Sequence, residues 1–366
     1  KTVGYGFGGT SNLWHGVVAN LDDEDWTYID DISGQKISKE IESCYPKLKE
    51  YLNISSELDN ENYNPESSQL FPYFGIEKLI AKPYAVQSFP LRFRKRIQDR
   101  VASGSSNFQL IENAVAVTLY KSTKDKIDFI ECYKENSLQK IYADIFIISL
   151  GGLESPRLLL QSFEKTDASN GFVGQGLMDH PHVIIGELTI PKYIYYHQHG
   201  MSIFSDKLSK RLGFTIPSKL RRHKKYNHSL FFRPSLSLDA TKARIAIKNL
   251  VGGGGLFSFK TFLSCISSIS TLKVGVMLLV EKFGIGIYTN KFMVSTQLEQ
   301  LSNESSYIQL TDTLDIYKRR VPKVNRYFSH DLLDEVESQQ NVLSKLGRKG
   351  SEFKKISVSQ RDFLSG

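Results

Sequence analysis

The sequence predicts a mixed α/β chain, with an α/β unit in its first half and a domain built on a largely antiparallel sheet in its second. Three observations carry this. The apolar run Ile145 to Leu150 ends at Gly151-Gly152 and is followed by LESPRLLLQSF, the pattern of strand, glycine turn and helix. Past Val183 the segments become long, aromatic and rich in Ser and Lys, with strand-like runs such as MVSTQLEQL and SSYIQLTD. At 366 residues the chain can hold two folding units, and 40% hydrophobic with 23% charged residues excludes wholesale disorder.

The elements follow in order. Gly4 to Gly16, GYGFGGTSNLWHG, is a glycine-rich opening with no strand before it. Ser38 to Leu52 places Ile41, Cys44, Tyr45, Leu48 and Leu52 near one helical face, with a kink or break demanded by Pro46. Asn53 to Ser68 is polar and reads as a surface excursion. From Asn107, FQLIENAVAVTLY predicts a strand, a turn at Glu112-Asn113 and a second strand. Ile127 to Tyr133 predicts another strand, KENS a turn, and KIYADIFIISL a strand that runs to Leu150.

The stretch Ile145 to Leu150, apolar except for Ser149, suits a strand buried on both faces of a parallel sheet. Ser155 then reads as the N-cap and Pro156 as the first position of a helix. His330 to Leu346 reads as a helix with Leu332, Leu333, Val336, Val342, Leu343 and Leu346 on its apolar faces. The expected organisation is a first domain over residues 1–190, with a helical and loop excursion at about 35–100. A second domain follows over 191–330, and a helical return segment over 331–366.

Charge is local. The formal net charge is +8, and the window Asp206 to Arg233 holds nine Lys or Arg against one acid, so it carries the whole imbalance. A basic stripe for nucleic acid is therefore not expected. The segment RRHKKYNH, Arg221 to His228, is either a solvated loop or a contact for an anionic partner, substrate or membrane surface. Thr261 to Val280 is the most apolar stretch, but Lys273 near its middle favours a buried or surface-docked helix over a transmembrane one. Three scattered cysteines give no disulfide framework, and no signal peptide is visible. A reducing, cytoplasmic location is the expectation.

Several segments carry chemistry. In GGTSNLW the paired glycines let backbone approach a flat ring system, and Thr10, Ser11 and Asn12 offer donors to it. Asp179 to His182, DHPH, holds potential metal ligands, yet the spacing is short and no further cluster accompanies it, so no metal is expected.

Taken together and in order, GGTSNLWHG (8–16), SFPLRF (88–93) with NFQLIENAVAVTL (107–119), SLGGLESPRLLLQS (149–162), VGQGLMDHPH (173–182) and QLEQLSNESSYIQLTD (297–312) resemble the glucose–methanol–choline family of flavin-dependent oxidoreductases. The resemblance implies an incomplete FAD-binding Rossmann-like domain plus a substrate domain with a mainly antiparallel sheet. It implies cofactor contacts from Gly8, Gly9, Thr10, Ser11, Asn12 and Leu13 at the flavin ring, and from the backbone of Val115 or Ala116 at the adenine. Gly151, Gly152 and Ser155 fall beside the pyrophosphate or ribityl chain, with Asp179, His180 and Pro181 beside the cofactor. Some members carry a flavin-linking histidine before the tryptophan; Leu13 stands there and cannot form the bond, so non-covalent FAD is expected.

The implied activity is oxidation of a CH–OH group in an alcohol or sugar-like substrate, with an unknown electron acceptor. The family's G-x-G-x-x-G unit and its C-terminal catalytic histidine have no counterpart among these residues. The chain is accordingly expected to be an internal piece whose catalytic histidine lies beyond Gly366, inactive by itself. The rival from another class is a degenerate, non-catalytic relative that binds a partner through the basic 207–233 segment.

Overall fold

The computed structural model describes residues 9, 17–19, 26, 37–52, 70–86, 93–104, 107–123, 126–163, 171–196, 209–221, 226–235 and 287–364. The expectations placed on residues 53–68 and 261–280, and on Arg222 to Lys225, lie outside them.

The first strand, β1 (Val17–Val18), precedes two short helices, α1 (Ile37–Ser43) and α2 (Tyr45–Leu52). The break falls at Cys44, which puts Pro46 in the first turn of α2, where its missing N–H costs nothing. β2 (Ile80–Val86) and α3 (Phe93–Ala102) follow. Then come β3 (Val115–Thr123), β4 (Lys126–Lys134) and β5 (Ser137–Tyr142), the last two joined at Glu135-Asn136, both at positive φ.

Next are α4 (Gly151–Ser162), β6 (His182–Tyr196), β7 (Ser209–Thr215), β8 (His228–Pro234) and β9 (Ile287–Leu298). The chain continues through β10 (Tyr307–Leu314), β11 (Arg320–Asn325), α5 (His330–Ser344), β12 (Glu352–Lys355) and α6 (Gln360–Leu364). Helices and strands are thus mixed, as expected, and every strand pairing among the described residues is antiparallel.

The chain divides into two compact units. One gathers residues 1–13, 92–181 and 299–332, the other 14–91, 182–298 and 333–366. This division is interleaved, whereas the boundaries read from the sequence at 190 and 330 were linear.

The second unit is built on a seven-stranded sheet ordered β1-β2-β7-β8-β9-β6-β12. β8 is central and buried from His228 to Phe232, which explains its apolar run. Phe232 packs edge-on against Phe74 and Phe214, with ring centroids 5.5 and 5.6 Å away. Pro191 cannot donate to a ladder, and the β6–β9 register breaks between Thr189 and Ile194, where it sits. Gln340 on α5 donates to the carbonyls of Ile185 and Ile356 at 2.8 and 2.7 Å, tying that helix to β6 and to the end of β12.

The first unit holds the sheet β3-β4-β5 and the hairpin β10-β11. α4 packs on β3, where the Leu119 N–H donates to Ser162 Oγ at 2.8 Å; Val117, Leu119 and Leu158 are buried in this unit.

Three expectations are corrected here. Asn107 to Ile111 form no strand, although the turn at Glu112-Asn113 is present and Asn113 has φ 55°. Ile145 to Leu150 are unpaired rather than buried in a parallel sheet, and Ile145 and Ile147 are 79% and 86% exposed. No described strand lies beside them, so their N–H and C=O groups have no ladder to join. Helix α4 starts at Gly151, with Leu150 as N-cap, so Ser155 and Pro156 lie inside it.

Candidate functional site

The glycine-rich opening is described only at Gly9, which has φ 51°. Gly8, Thr10, Ser11, Asn12 and Leu13 lie outside the described residues. Val115 and Ala116 open β3, opposite Tyr133 and Cys132 of β4, and both are half-buried.

Gly151 and Gly152 form the first turn of α4. Gly151 takes φ +81°, a conformation that favours glycine, and a Cβ built on either residue would meet no atom within 4 Å. The space above both glycines is open. Leu150 supplies no side-chain cap, so the first-turn amides are left to the surroundings. Ser155 reaches back instead, its Oγ accepting the Leu150 N–H at 3.2 Å.

The segment 173–182 is bolted down along one side. The Ile308 N–H donates to the Gly174 carbonyl at 2.6 Å, the Leu177 N–H to the Ser306 carbonyl at 2.9 Å, and the Asp179 N–H to Gln300 Oε1 at 2.9 Å. Gly174 has φ +84°, and a Cβ there would lie 2.5 Å from the Ile308 carbonyl oxygen. The Asp179 carboxylate pairs with the Arg326 guanidinium at 2.7 Å and accepts the His180 N–H at 2.9 Å. Pro181 is buried, while Met178 and His180 are exposed on the other side of the extended stretch. His182 leaves the segment to hydrogen-bond Ser295 at 3.1 Å within the second unit. Among the described residues no group of three or more His, Cys, Asp or Glu could hold a metal ion.

The hairpin β10-β11 receives both α4 and the 173–179 segment, so the described motifs of the first unit meet at one element. Arg157 of α4 is 4% exposed; it donates to the Arg320 carbonyl at 2.8 Å and pairs with Asp315 at 2.9 Å. Arg319 completes the network, reaching Glu154 at 3.1 Å and Asp315 at 3.0 Å. Burial alone would raise the Asp315 carboxyl, but the N–H groups of Arg319 and Tyr317, the Arg319 charge and the Arg157 bond outweigh it and hold it below the usual carboxylate range. An open cleft of about 480 Å³ lies in the same unit, with Leu160, Phe163, Val173, Gln175, Tyr307 and Leu310 among its walls.

Sequence reasoning missed Gln300, Ser306, Arg157 and Arg319, all buried polar groups. The available signal was Arg157 directly before the apolar run Leu158-Leu159-Leu160, three residues after Glu154. In the basic segment Arg221 is buried rather than solvated, its guanidinium donating to the Tyr226 carbonyl at 2.6 Å.

The same region holds His228, which is 3% exposed and whose Nε2 accepts the Ile216 N–H at 3.0 Å. Burial first, then the Arg221 and Lys82 charges, push its pKa down to about 3, and the Tyr226 carbonyl offsets part of this.

Fold and site together define a mixed α/β protein of two interleaved units, with mainly antiparallel sheets. No family model matches the chain, and no curated protein matches it. No helix among the described residues is long and apolar enough to cross a membrane.

Proposed function

We propose that this chain is an FAD-dependent oxidoreductase acting on CH–OH donors, of the glucose–methanol–choline type. The observation that carries the proposal is the open glycine turn at the start of α4. Gly151 and Gly152 leave space for a ligand at the N-terminus of a twelve-residue helix, where first-turn amides suit an anion such as a pyrophosphate. The residues present therefore fit the group.

When bound, FAD supplies a hydride acceptor for the carbon of an alcohol or sugar-like substrate. Gly151, Gly152 and the N–H groups of the α4 first turn would hold its phosphates, and the Val115 or Ala116 backbone would bind its adenine edge. Asp179 to Pro181 would line the cofactor from a segment fixed to the 300–308 stretch. Leu13 at the flavin-linking position keeps the attachment non-covalent.

The test is to purify the full-length protein, record its absorption spectrum and precipitate it with acid. A yellow supernatant over a colourless pellet is the expected result. Chromophore retained on the polypeptide would refute the non-covalent assignment, and a protein that takes up no FAD would refute the flavin assignment. Arg221 is bonded inside the fold, so that guanidinium is not available to dock a partner.

A further inference from the structure

We propose that Gln300 is a positioning residue for the cofactor, acting through the backbone of Asp179, with Arg326 as its partner on the Asp179 carboxylate. The proposal rests on the flavin reading above and extends it to residues which carry no cofactor contact of their own.

Gln300 is 7% exposed and sits just past the end of β9. Its carboxamide is used on both sides. Oε1 accepts the Asp179 N–H at 2.9 Å, and Nε2 donates to the Tyr327 carbonyl at 2.9 Å and to Ser306 Oγ at 3.3 Å. Ser306 closes the network, donating to the Tyr327 carbonyl and accepting the Tyr327 N–H, both at 3.0 Å. A buried network with its donors and acceptors matched admits one geometry, since any displacement strands a polar group away from water.

That geometry sets which way the 177–181 stretch faces. The stretch belongs to no helix or strand, so its amides depend on outside acceptors. Leu177, Asp179 and Pro181 turn toward the anchoring side, while Met178 and His180 turn outward. The Asp179 carboxylate is directed to Arg326 and to the His180 N–H, so both its side chain and its backbone tie the stretch to the anchoring side. The cofactor-facing surface of the segment is then the Met178–His180 side and the adjoining backbone. Gln300 and Arg326 hold it in place from behind.

The test uses full-length protein and two variants, Gln300→Leu and Arg326→Gln. Each is titrated with FAD, and the visible absorption of the bound flavin is recorded beside the thermal midpoint without FAD. With the anchor gone, binding must re-order the segment, and Kd for FAD in Gln300→Leu should rise about tenfold, the scale of one buried hydrogen bond. The flavin band should change shape as well. Arg326→Gln, at a pair about one-third exposed on each side, should raise Kd about threefold.

A lower thermal midpoint with unchanged Kd and absorption in Gln300→Leu would make Gln300 a folding residue only and overturn the proposal. If that variant does not fold, unchanged Kd and absorption in Arg326→Gln overturn it. Wild-type protein that binds no FAD removes the flavin reading itself, and this assignment with it.

Discussion

His228 makes the stability of the second unit depend on pH in a way that can be worked out in advance. The perturbation is acidification from pH 7 to pH 5. In the folded chain the ring is buried, faces the Arg221 and Lys82 charges, and titrates at about 3, against 6.5 for an ordinary histidine. A depressed pKa means that the unfolded chain binds the proton first. The contribution to stability is therefore complete above 6.5 and is lost progressively as pH falls toward 3.

At pH 5 the unfolded ring is 1.5 pH units below its pKa, and each unit is worth about 1.4 kcal/mol, so unfolding gains about 2 kcal/mol. The folded ring is still neutral there, so the difference comes from protonation of the unfolded chain. The assay is urea denaturation of wild type and His228→Gln at both pH values. Gln does not titrate but can still accept the Ile216 N–H, so the difference between the two proteins isolates the ring. Wild type should lose about 2 kcal/mol more than the variant between pH 7 and pH 5. Equal losses would show that the ring titrates at its ordinary value in the fold and would refute the geometric argument.

Two further expectations follow from the first unit. Gly174→Ala forces a side chain into φ +84° and against the Ile308 carbonyl, and should lower stability by about 2 kcal/mol or more in a denaturant titration; a loss under about 0.5 kcal/mol would mean that the turn relaxes freely. Ile145→Thr with Ile147→Lys breaks an exposed, strand-prone apolar run, and should raise the soluble yield without lowering the thermal midpoint. A drop of several degrees in that midpoint would show the two isoleucines to be packed.

Much of the local structure was legible. The helix at 330–344, the turn at Glu135-Asn136 between β4 and β5, and the strands of MVSTQLEQL and SSYIQLTD are set by periodicity and turn chemistry over a few residues. The break before Pro46 is of the same kind. So is the helix after Gly151-Gly152, although it starts five residues before the position that Ser155-Pro156 suggests, because that pair resembles a cap pair and here lies inside the helix.

The candidate site was legible only as motifs. What positions them comes from far along the chain: Gln300 is 121 residues from Asp179, and Asp315 is 158 from Arg157. Residues 299–330 read as part of a substrate domain, yet they pack with 92–181, because pairing Gln175 with Tyr307 and burying Arg157 against Arg320 are long-range choices. Ile145 to Leu150 make the same point from the other side. Their β-branched, apolar sequence determines an extended backbone, but a strand exists only when a neighbour accepts its hydrogen bonds, and that neighbour is decided by tertiary structure. Pattern over short windows thus determined several of the elements and turns, such as the helix at 330–344 and the turns at Glu112-Asn113 and Glu135-Asn136. Burial of His228, Arg221, Arg157 and Gln300 was decided by the fold alone, since no local pattern says which polar side chain will find its partners away from water.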